Sequence, residues 1–202
     1  MSKIETIAAL ETLYDATPSD ASMQKVATKM TPLYRKWIMA SRFMVLTTVG
    51  PDGTDGSPRG DTEPVVQELD EQHLAIPDWR GNNRLDSLRN IVRDGRVSLM
   101  FMVPGSSTVV RVNGTAELFA DDALTGRFVQ KSQHPKSVIV VKISEIYTQC
   151  ARAILRAGLW SGEDKSADLP SPGDILVEMT NGEFDGATYD SEWPGRAAKT
   201  MW

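Results

Sequence analysis

The sequence predicts a mainly β, α+β fold in which an antiparallel barrel carries peripheral helices. Short apolar and β-branched runs follow one another in hairpin order between residues 42 and 148. Helical patterns are confined to the two ends and to insertions between some of these runs, and alternating βαβ units are absent. An antiparallel barrel is the economical way for about six such strands to bury one face.

The front segment, residues 1–41, is predicted to be helical and amphipathic. Ile4, Ile7 and Tyr14 lie near one face of a first helix over residues 3–14. A second helix is expected over Asp20–Met30, after the break at Thr17-Pro18, and a third short helix follows Thr31-Pro32. The pattern indicates packing rather than chemistry.

The middle segment, residues 42–148, is predicted to be the barrel with its inserted helices. Ser57–Asp61 is an interrupted polar stretch, and Asp121-Asp122 is expected to cap a helix that runs to about Gln130. The strands are predicted over Phe43–Val49, Val65–Leu69, His73–Ile76, Arg96–Val103, Thr108–Leu118, with a bend or bulge at Gly114, and Ser137–Ile143.

The last segment, residues 149–202, begins with a helix in the first half of Cys150–Asp164. Leu169–Asp174 has the composition of a loop, and the polar end of the chain has no role that its pattern indicates. We expect this segment to pack on the barrel or on a second subunit, so that residues 1–202 form one domain.

Composition excludes several classes of function. With 202 residues, a net charge of −5 and a pI of about 5.1, the chain suits a globular domain and not a nucleic-acid surface. It lacks a signal-peptide pattern and an apolar run of the roughly 20 residues that span a bilayer, so no membrane role is expected. A single cysteine, Cys150, favours a reducing, cytoplasmic setting, and one cysteine with two histidines argues against a metal site.

The stretch Ile76–Val92 joins a predicted strand to a predicted helix through a turn rich in donors. Asn83 can cap this helix with Asp86 as its capping-box partner. A helix N-terminus attracts anions, and neighbouring arginines can hold phosphate oxygens bidentately. An ordinary capped helix after an ordinary turn explains this stretch equally well. In either case the predicted buried face of the helix carries Leu85, Leu88, Ile91 and Val92.

Three segments place arginine beside glycine or small polar residues: Ser57–Asp61, Arg80–Arg84, and Arg111 with Asn113-Gly114. In a closed barrel they can converge on one edge, where a ligand with a phosphate and a polar planar ring would fit. The alternative is that Arg59 and Asp61 pair with each other on the surface, which would contribute little.

Other side chains in these segments give weaker indications. Asp61 and Asp78 could serve as an acid or a base, but we expect them to be ordinary solvated carboxylates. The sequence therefore identifies no catalytic residue. Trp79 is a candidate to line a pocket.

The order of these segments resembles that of a known superfamily. FMVLTTVGPDG, SPRGD, HLAIPDWRGNNRLDSLRNI, RVSLMFMVPG and RVNGTAEL follow one another as in the pyridoxamine 5′-phosphate oxidase-like, FMN-binding split barrels. A bacterial branch of FMN-dependent enzymes shares SPRGD, PD-x-x-GNNR and C-x-x-A-x-x-R-x-x-LW, here Cys150 to Trp160. The resemblance covers roughly residues 30–165.

The resemblance implies a six-stranded antiparallel split β-barrel and a homodimer with FMN sites at its interface. It also implies an FMN-dependent oxidoreductase that acts on a small molecule. In this comparison Arg59 faces the flavin, Ile76–Asp78 follow the edge of its ring, and Asn82–Arg84 hold its phosphate, while Cys150 and Arg152 come from the second subunit. The implied cofactor-binding residues are Arg59, Gly60, Asp61, Ile76, Pro77, Asp78, Trp79, Asn82, Asn83, Arg84, Arg111, Cys150 and Arg152.

The chain also departs from the true oxidases. Pro64 stands where they have a lysine, Thr108–Val110 replaces their RQV segment, and their C-terminal Trp and Arg-x-His motif has no match in Leu169–Trp202. FMN binding is therefore better supported than oxidation of a pyridoxamine phosphate. The alternatives are a flavin-binding or sensing protein without turnover, or a barrel that holds the deazaflavin F420 or haem.

Overall fold

The computed structural model describes residues 2–14 and 17–201. The strands in this part of the chain are β1 Phe43–Gly50, β2 Gly53–Gly60, β3 Gln67–Asp70, β4 His73–Asp78, β5 Arg96–Met102, β6 Val109–Phe119 and β7 Ser137–Gln149. The helices are α1 Ile7–Leu13, α2 Asp20–Gln24, α3 Pro32–Ile38, α4 Asp86–Arg93, α5 Asp122–Thr125, α6 Arg152–Ala157, α7 Pro172–Met179 and α8 Gly186–Thr200.

The strands form one antiparallel sheet of seven strands in the order β2-β1-β5-β6-β7-β4-β3. This confirms the mainly antiparallel α+β class, although the expected count of six strands is too low. Among the described strands, β2 and β3 are the two edge strands of this sheet. The backbone ladder therefore does not itself close the sheet into a barrel.

The additional strand is β2, which contains most of the stretch that the sequence presents as interrupted and polar. It pairs with β1 along its whole length, from Gly50↔Gly53 to Phe43↔Gly60. Its glycines and Pro58 weaken the sequence signal for a strand. Proline is tolerated here because β2 is an edge strand, where one side of the backbone needs no ladder partner.

The core lies on the concave face of the sheet. Alternate residues of neighbouring strands are fully buried, because successive side chains in a strand point to opposite faces. α3 contributes Ile38 and α4 contributes Ile91 to the same cluster. The buried strand residues include Met44, Leu46, Leu74, Ile76, Leu99, Phe101, Val110, Val112, Ile139 and Val141. Burial of each large apolar side chain contributes about 1.5–3 kcal/mol, so this alternation fixes which face of each strand points into the core.

The helices at the N-terminus are shorter than predicted. α1 spans Ile7–Leu13, within the helix expected over residues 3–14, and buries none of its residues. α2 ends at Gln24, because Ala27 exchanges backbone hydrogen bonds with Ile146 of β7 (2.9 and 2.7 Å) and so cannot continue a helix. α3 is confirmed, with Thr31 as its cap.

The later helices also differ in length from the predictions. Asp121 caps α5 as expected, but this helix ends at Thr125 and not near Gln130. α6 confirms the helix after Cys150, and α7 begins at Pro172, inside the stretch expected to be a loop. No helix within the described residues has both the length and the hydropathy needed to cross a membrane.

The bulge predicted in β6 is confirmed. The pairing of β6 with β7 shifts register between Asn113 and Gly114. A β-carbon at position 114 would collide with the backbone carbonyl oxygen of Lys142 in β7. Glycine is therefore required at this point because the two backbones approach too closely for any side chain.

Gly114→Ala is expected to lower the free energy of unfolding by about 1–3 kcal/mol, the usual effect of overpacking. Gly56→Ala is the matched control in β2, since a β-carbon there would meet no atom within 4 Å. Urea unfolding should show a change of less than about 1 kcal/mol for the control. Equal midpoints for the two variants would contradict the role given to Gly114.

Candidate functional site

A cleft of about 1630 Å³ opens where the C-terminal ends of β2 and β4 meet the turn before α4. Its walls come from residues 55–62 and 76–88, from several residues between 131 and 137, and from the end of α8. Typical small-molecule sites measure about 300–1,000 Å³. The cleft therefore has room for a cofactor together with a second small molecule.

Arg59 and Asp78 form an ion pair across the cleft. Nη1 of Arg59 donates to Oδ1 of Asp78 at 2.7 Å, and the two side chains are only 20% and 19% exposed. The alternative pairing of Arg59 with Asp61 is not formed among the described residues. Nε of Arg59 is buried and has no hydrogen-bond partner in that part of the chain, so the guanidinium retains a donor that an incoming acceptor can satisfy.

Asp61 connects three segments at the base of the cleft. Its Oδ2 accepts the indole N–H of Trp79 at 3.0 Å, and its Oδ1 accepts Nε2 of Gln130 at 3.1 Å and the backbone N–H of Thr62 at 2.6 Å. The expectation of two ordinary solvated carboxylates is therefore wrong, because Asp78 and Asp61 are both held by protein donors.

The turn before α4 differs from the predicted capping box. Asn83 has a left-handed backbone with φ +59°, and Leu85, with φ +61°, is the N-cap residue of α4. Asp86 does not pair with Asn83 but accepts Nε of Arg84 at 2.8 Å. Asn tolerates the left-handed region better than most residues. Two left-handed residues so close together turn the chain sharply at the cleft edge.

The buried face of α4 is more polar than predicted. Leu85 and Val92 are exposed, whereas Ser87, Asn90 and Ile91 are buried. The hydroxyl of Ser87 bonds to Asp55 of β2, and Nδ2 of Asn90 donates to Thr48 of β1 at 3.1 Å. The helix is therefore held against the β1–β2 hairpin largely by hydrogen bonds, which the apolar periodicity did not reveal.

Ten of the thirteen predicted site residues lie together in this cleft. They are Arg59, Gly60, Asp61, Ile76, Pro77, Asp78, Trp79, Asn82, Asn83 and Arg84. Asn82–Arg84 are exposed at the rim, and Ile76 is buried in the floor. Residues from β2, β4 and the turn before α4 thus converge. Of the three arginine segments expected to meet, Ser57–Asp61 and Arg80–Arg84 line the cleft and Arg111 with Asn113-Gly114 does not.

The other three predicted residues do not line the cleft. Arg111 lies on the opposite face of the sheet, between the buried Val110 and Val112, and its guanidinium sits 5.4 Å from the ring centre of Tyr147. Cys150 is exposed, and its Sγ accepts the backbone N–H of Arg152 at 3.4 Å. Within one chain, therefore, these three residues lie away from the cleft.

The connection before β7 supplies cleft residues that the sequence analysis missed. Lys131, His134 and Lys136 also line the cleft. Nδ1 of His134 donates to the carbonyl oxygen of Phe128 at 2.9 Å, which leaves Nε2 available. The clustering of these three basic side chains just before a strong strand is the signal that could have found them. Within the described residues no group of three His, Cys, Asp or Glu side chains is placed to hold a metal ion.

Comparison with known proteins identifies a family but no curated relative. A family model described as pyridoxamine 5′-phosphate oxidase matches residues 30–150. No curated protein matches the sequence.

Solved structures also show similarity to the chain. HupZ of Group A Streptococcus has 17% identity over 59% of this chain and 93% of its own, with a TM-score of 0.49. A pyridoxamine 5′-phosphate oxidase-like protein of Lactobacillus delbrueckii has 26% identity over 60% and 95%, with a TM-score of 0.47. An FMN-binding protein of Syntrophomonas wolfei has 19% identity over 57% and 83%, with a TM-score of 0.43. These TM-scores are below 0.5, so the family assignment rests on the sequence match.

The coupling between Arg59 and Asp78 is open to a double-mutant cycle with Arg59→Met and Asp78→Asn. Because both side chains are about four-fifths buried, we expect a coupling free energy of about 1–3 kcal/mol in urea unfolding. The control cycle uses Arg93 and Asp52, whose side chains are 49% and 82% exposed and should couple by no more than about 1 kcal/mol. A coupling for Arg59 and Asp78 no larger than that of the exposed pair would contradict the role of burial.

Proposed function

We propose that this chain, which belongs to the pyridoxamine 5′-phosphate oxidase family, is an FMN-dependent oxidoreductase whose flavin occupies the cleft. The observation that carries the proposal is the convergence of Arg59, Trp79 and the Asn82–Arg84 turn on one cavity. These residues come from separate segments, and together they offer cationic donors, an aromatic wall and exposed amides. This combination suits a molecule with a phosphate at one end and a flat polar ring at the other.

The residues present fit FMN. Asn82–Arg84 would hold its phosphate, because the side chain of Arg84 is 78% exposed and its guanidinium pairs, among the described residues, only with the half-buried Asp86. Ile76–Asp78 would follow the ring edge. Arg59 carries the buried Nε donor that lacks a partner among the described residues, as a site awaiting an acceptor would show.

The chemistry of such a site is divided between cofactor and protein. FMN supplies the electron and hydride transfer. The chain binds and orients it, and the Arg59 guanidinium places positive charge beside it. No protein acid or base is assigned, and the remaining volume of the cleft would admit a small-molecule substrate.

We propose further that the active form is a cytoplasmic homodimer with an FMN site at each side of its interface. Arg111, Cys150 and Arg152 lie away from the cleft of their own chain, and a second copy would bring them to it. The half-exposed outer face of β5, β6 and β7, with Met100, Arg111 and Tyr147, gives such a partner a surface to cover. The single cysteine is consistent with a reducing compartment.

The decisive experiment is a visible spectrum and ligand mass spectrometry on protein purified without added cofactor. FMN absorbance and the FMN mass are expected, and F420 or haem would replace FMN in the proposal if their masses were found. Reoxidation assays with NADH, NADPH and quinones then separate an enzyme from a passive flavin-binding or sensing protein, since only an enzyme turns over. Absence of flavin together with no FMN affinity in titration would refute the proposal.

Arg84→Ala is expected to weaken FMN binding by about 10- to 100-fold, because a charge-assisted hydrogen bond contributes about 1.5–3 kcal/mol. The matched control is Arg93→Ala, at the other end of α4, where the arginine pairs with Asp52 outside the cleft. Isothermal titration with FMN measures both variants. An equal loss in the two variants would show that the effect is not specific to the turn.

Asn83→Gly separates the backbone of this turn from its side chain. Glycine accepts φ +59° without strain, so the turn should keep its shape while the amide is lost. If the amide contacts the phosphate, Asn83→Gly weakens FMN binding by about 5- to 10-fold, whereas an unchanged dissociation constant would reduce Asn83 to a turn-forming residue. Unfolding midpoints within about 0.5 kcal/mol of wild type verify that the turn is intact.

A further inference from the structure

We propose that Asp61 is a positioning residue that fixes the indole of Trp79 as a rigid wall of the cleft, against which a flat ring can stack. The inference rests on the proposed function, because a flavin is the ring expected there. It assigns Asp61 a role that differs from the direct cofactor contact implied by the resemblance. It also makes Trp79 a determinant of which ring the cleft accepts.

The carboxylate of Asp61 is already committed to protein donors. Oδ2 accepts the indole N–H of Trp79, and Oδ1 accepts Gln130 together with the backbone N–H groups of Thr62 and Glu63. A carboxylate has about four acceptor positions. Little capacity therefore remains for a ligand, and Asp61 acts through the groups that it holds.

The ring of Trp79 is fixed at both of its ends. Its backbone directly follows Asp78, which pairs with Ser137 in the ladder between β4 and β7 and with Arg59 across the cleft. Its indole tip is held by Asp61 at 3.0 Å. A tryptophan side chain has only two rotatable bonds. Anchoring the indole nitrogen therefore defines the plane of the ring as well as its position.

Asp61 also holds the connection before β7 through Gln130. Gln130 and Gln133 exchange two backbone hydrogen bonds, at 3.0 and 2.8 Å, around Lys131 and Ser132, which both have positive φ (47° and 63°). This tight hairpin presents Lys131 to the cleft. The Asp61 carboxylate thus ties Trp79 to the hairpin that carries Lys131. Its contacts with Trp79 and with Gln130 can be removed separately by mutation.

Asp61→Asn should release the indole, because the amide that replaces one oxygen cannot accept a hydrogen bond. If the remaining oxygen keeps Thr62 and Gln130, the amide faces the indole N–H. Near-ultraviolet circular dichroism of the cofactor-free protein reports the tryptophan environment. We expect Asp61→Asn to lose the band that Trp79→Phe also loses, and the double variant to lose no more than either single variant.

The matched control is Glu63→Gln, which removes a neighbouring exposed carboxylate outside the cleft and should keep the band. Gln130→Ala should also keep the indole band, since it removes only the contact to the basic hairpin. A Trp79 band that is unchanged in Asp61→Asn would overturn the proposal. If Asp61→Asn does not fold, Trp79→Phe removes the same hydrogen bond from the indole side, and an unchanged FMN dissociation constant in that variant would overturn the proposal.

The FMN arm uses isothermal titration. Trp79→Leu should weaken FMN binding by about 2- to 10-fold, the range expected for losing one stacked aromatic pair. Asp61→Asn should weaken FMN binding in the wild-type background but not in the Trp79→Phe background. An equal loss of FMN affinity in the two backgrounds would show that Asp61 contacts the ligand directly and would overturn the proposal. If wild-type protein binds no FMN, the proposed function fails, while the dichroism arm still decides whether Asp61 positions Trp79.

Discussion

The ion pair between Arg59 and Asp78 is the contact on which the cleft depends. It joins β2 at one end of the sheet to β4, although four strands lie between them in the hydrogen-bonded order. Sheet twist accumulates over such an order and curls the sheet toward itself. The pair crosses the gap that the curl leaves, where no backbone ladder joins the described strands. The distance between β2 and β4, and so the width of the cleft, is set by this ion pair together with the hydrogen bond from Trp79 to Asp61, the residues that directly follow the two strands.

Around this contact the chain builds a polar cavity on an apolar base. Ile76 of β4 is in the core, and Asp78 and Trp79, which follow it closely, line the cleft. The change from core to site occurs at the end of β4, where Ile76 belongs to the core and also lines the cleft, and Pro77 and Asp78 continue the lining. Loops and strand ends held by a rigid scaffold are the usual location for binding residues.

Charge in this cleft is a local property of an acidic protein. The net charge of −5 excludes a broad basic surface, yet the cavity gathers Arg59, Arg84, Lys131 and Lys136. Asp61, Asp78 and Asp86 lie among them, and each is paired with a specific donor. Such pairing orients the donors before any ligand arrives, and pre-organised donors bind an anion with less loss of conformational entropy. The single chain nevertheless leaves Arg111 on the far side of its sheet, which is why the proposed site includes a second copy.

Local rules determined much of what the sequence alone shows. The apolar and β-branched runs Phe43–Val49 and Arg96–Val103 predicted strands, and Thr31 and Asp121 cap helices through contacts only three residues long. Gly114 marked its bulge, and the ordered segments around Arg59 and Asn82–Arg84 indicated the family and the anion site. Only the tertiary structure decided that β2 is a strand and that Arg59 pairs with Asp78 and not with the nearby Asp61. It also decided that Lys131 and His134 line the cleft. The physical reason is that these outcomes depend on pairing and sheet geometry that local propensity does not encode. The hydrogen-bond ladder with β1 makes a strand of the glycine-rich β2, and the order of the seven strands sets which charges meet.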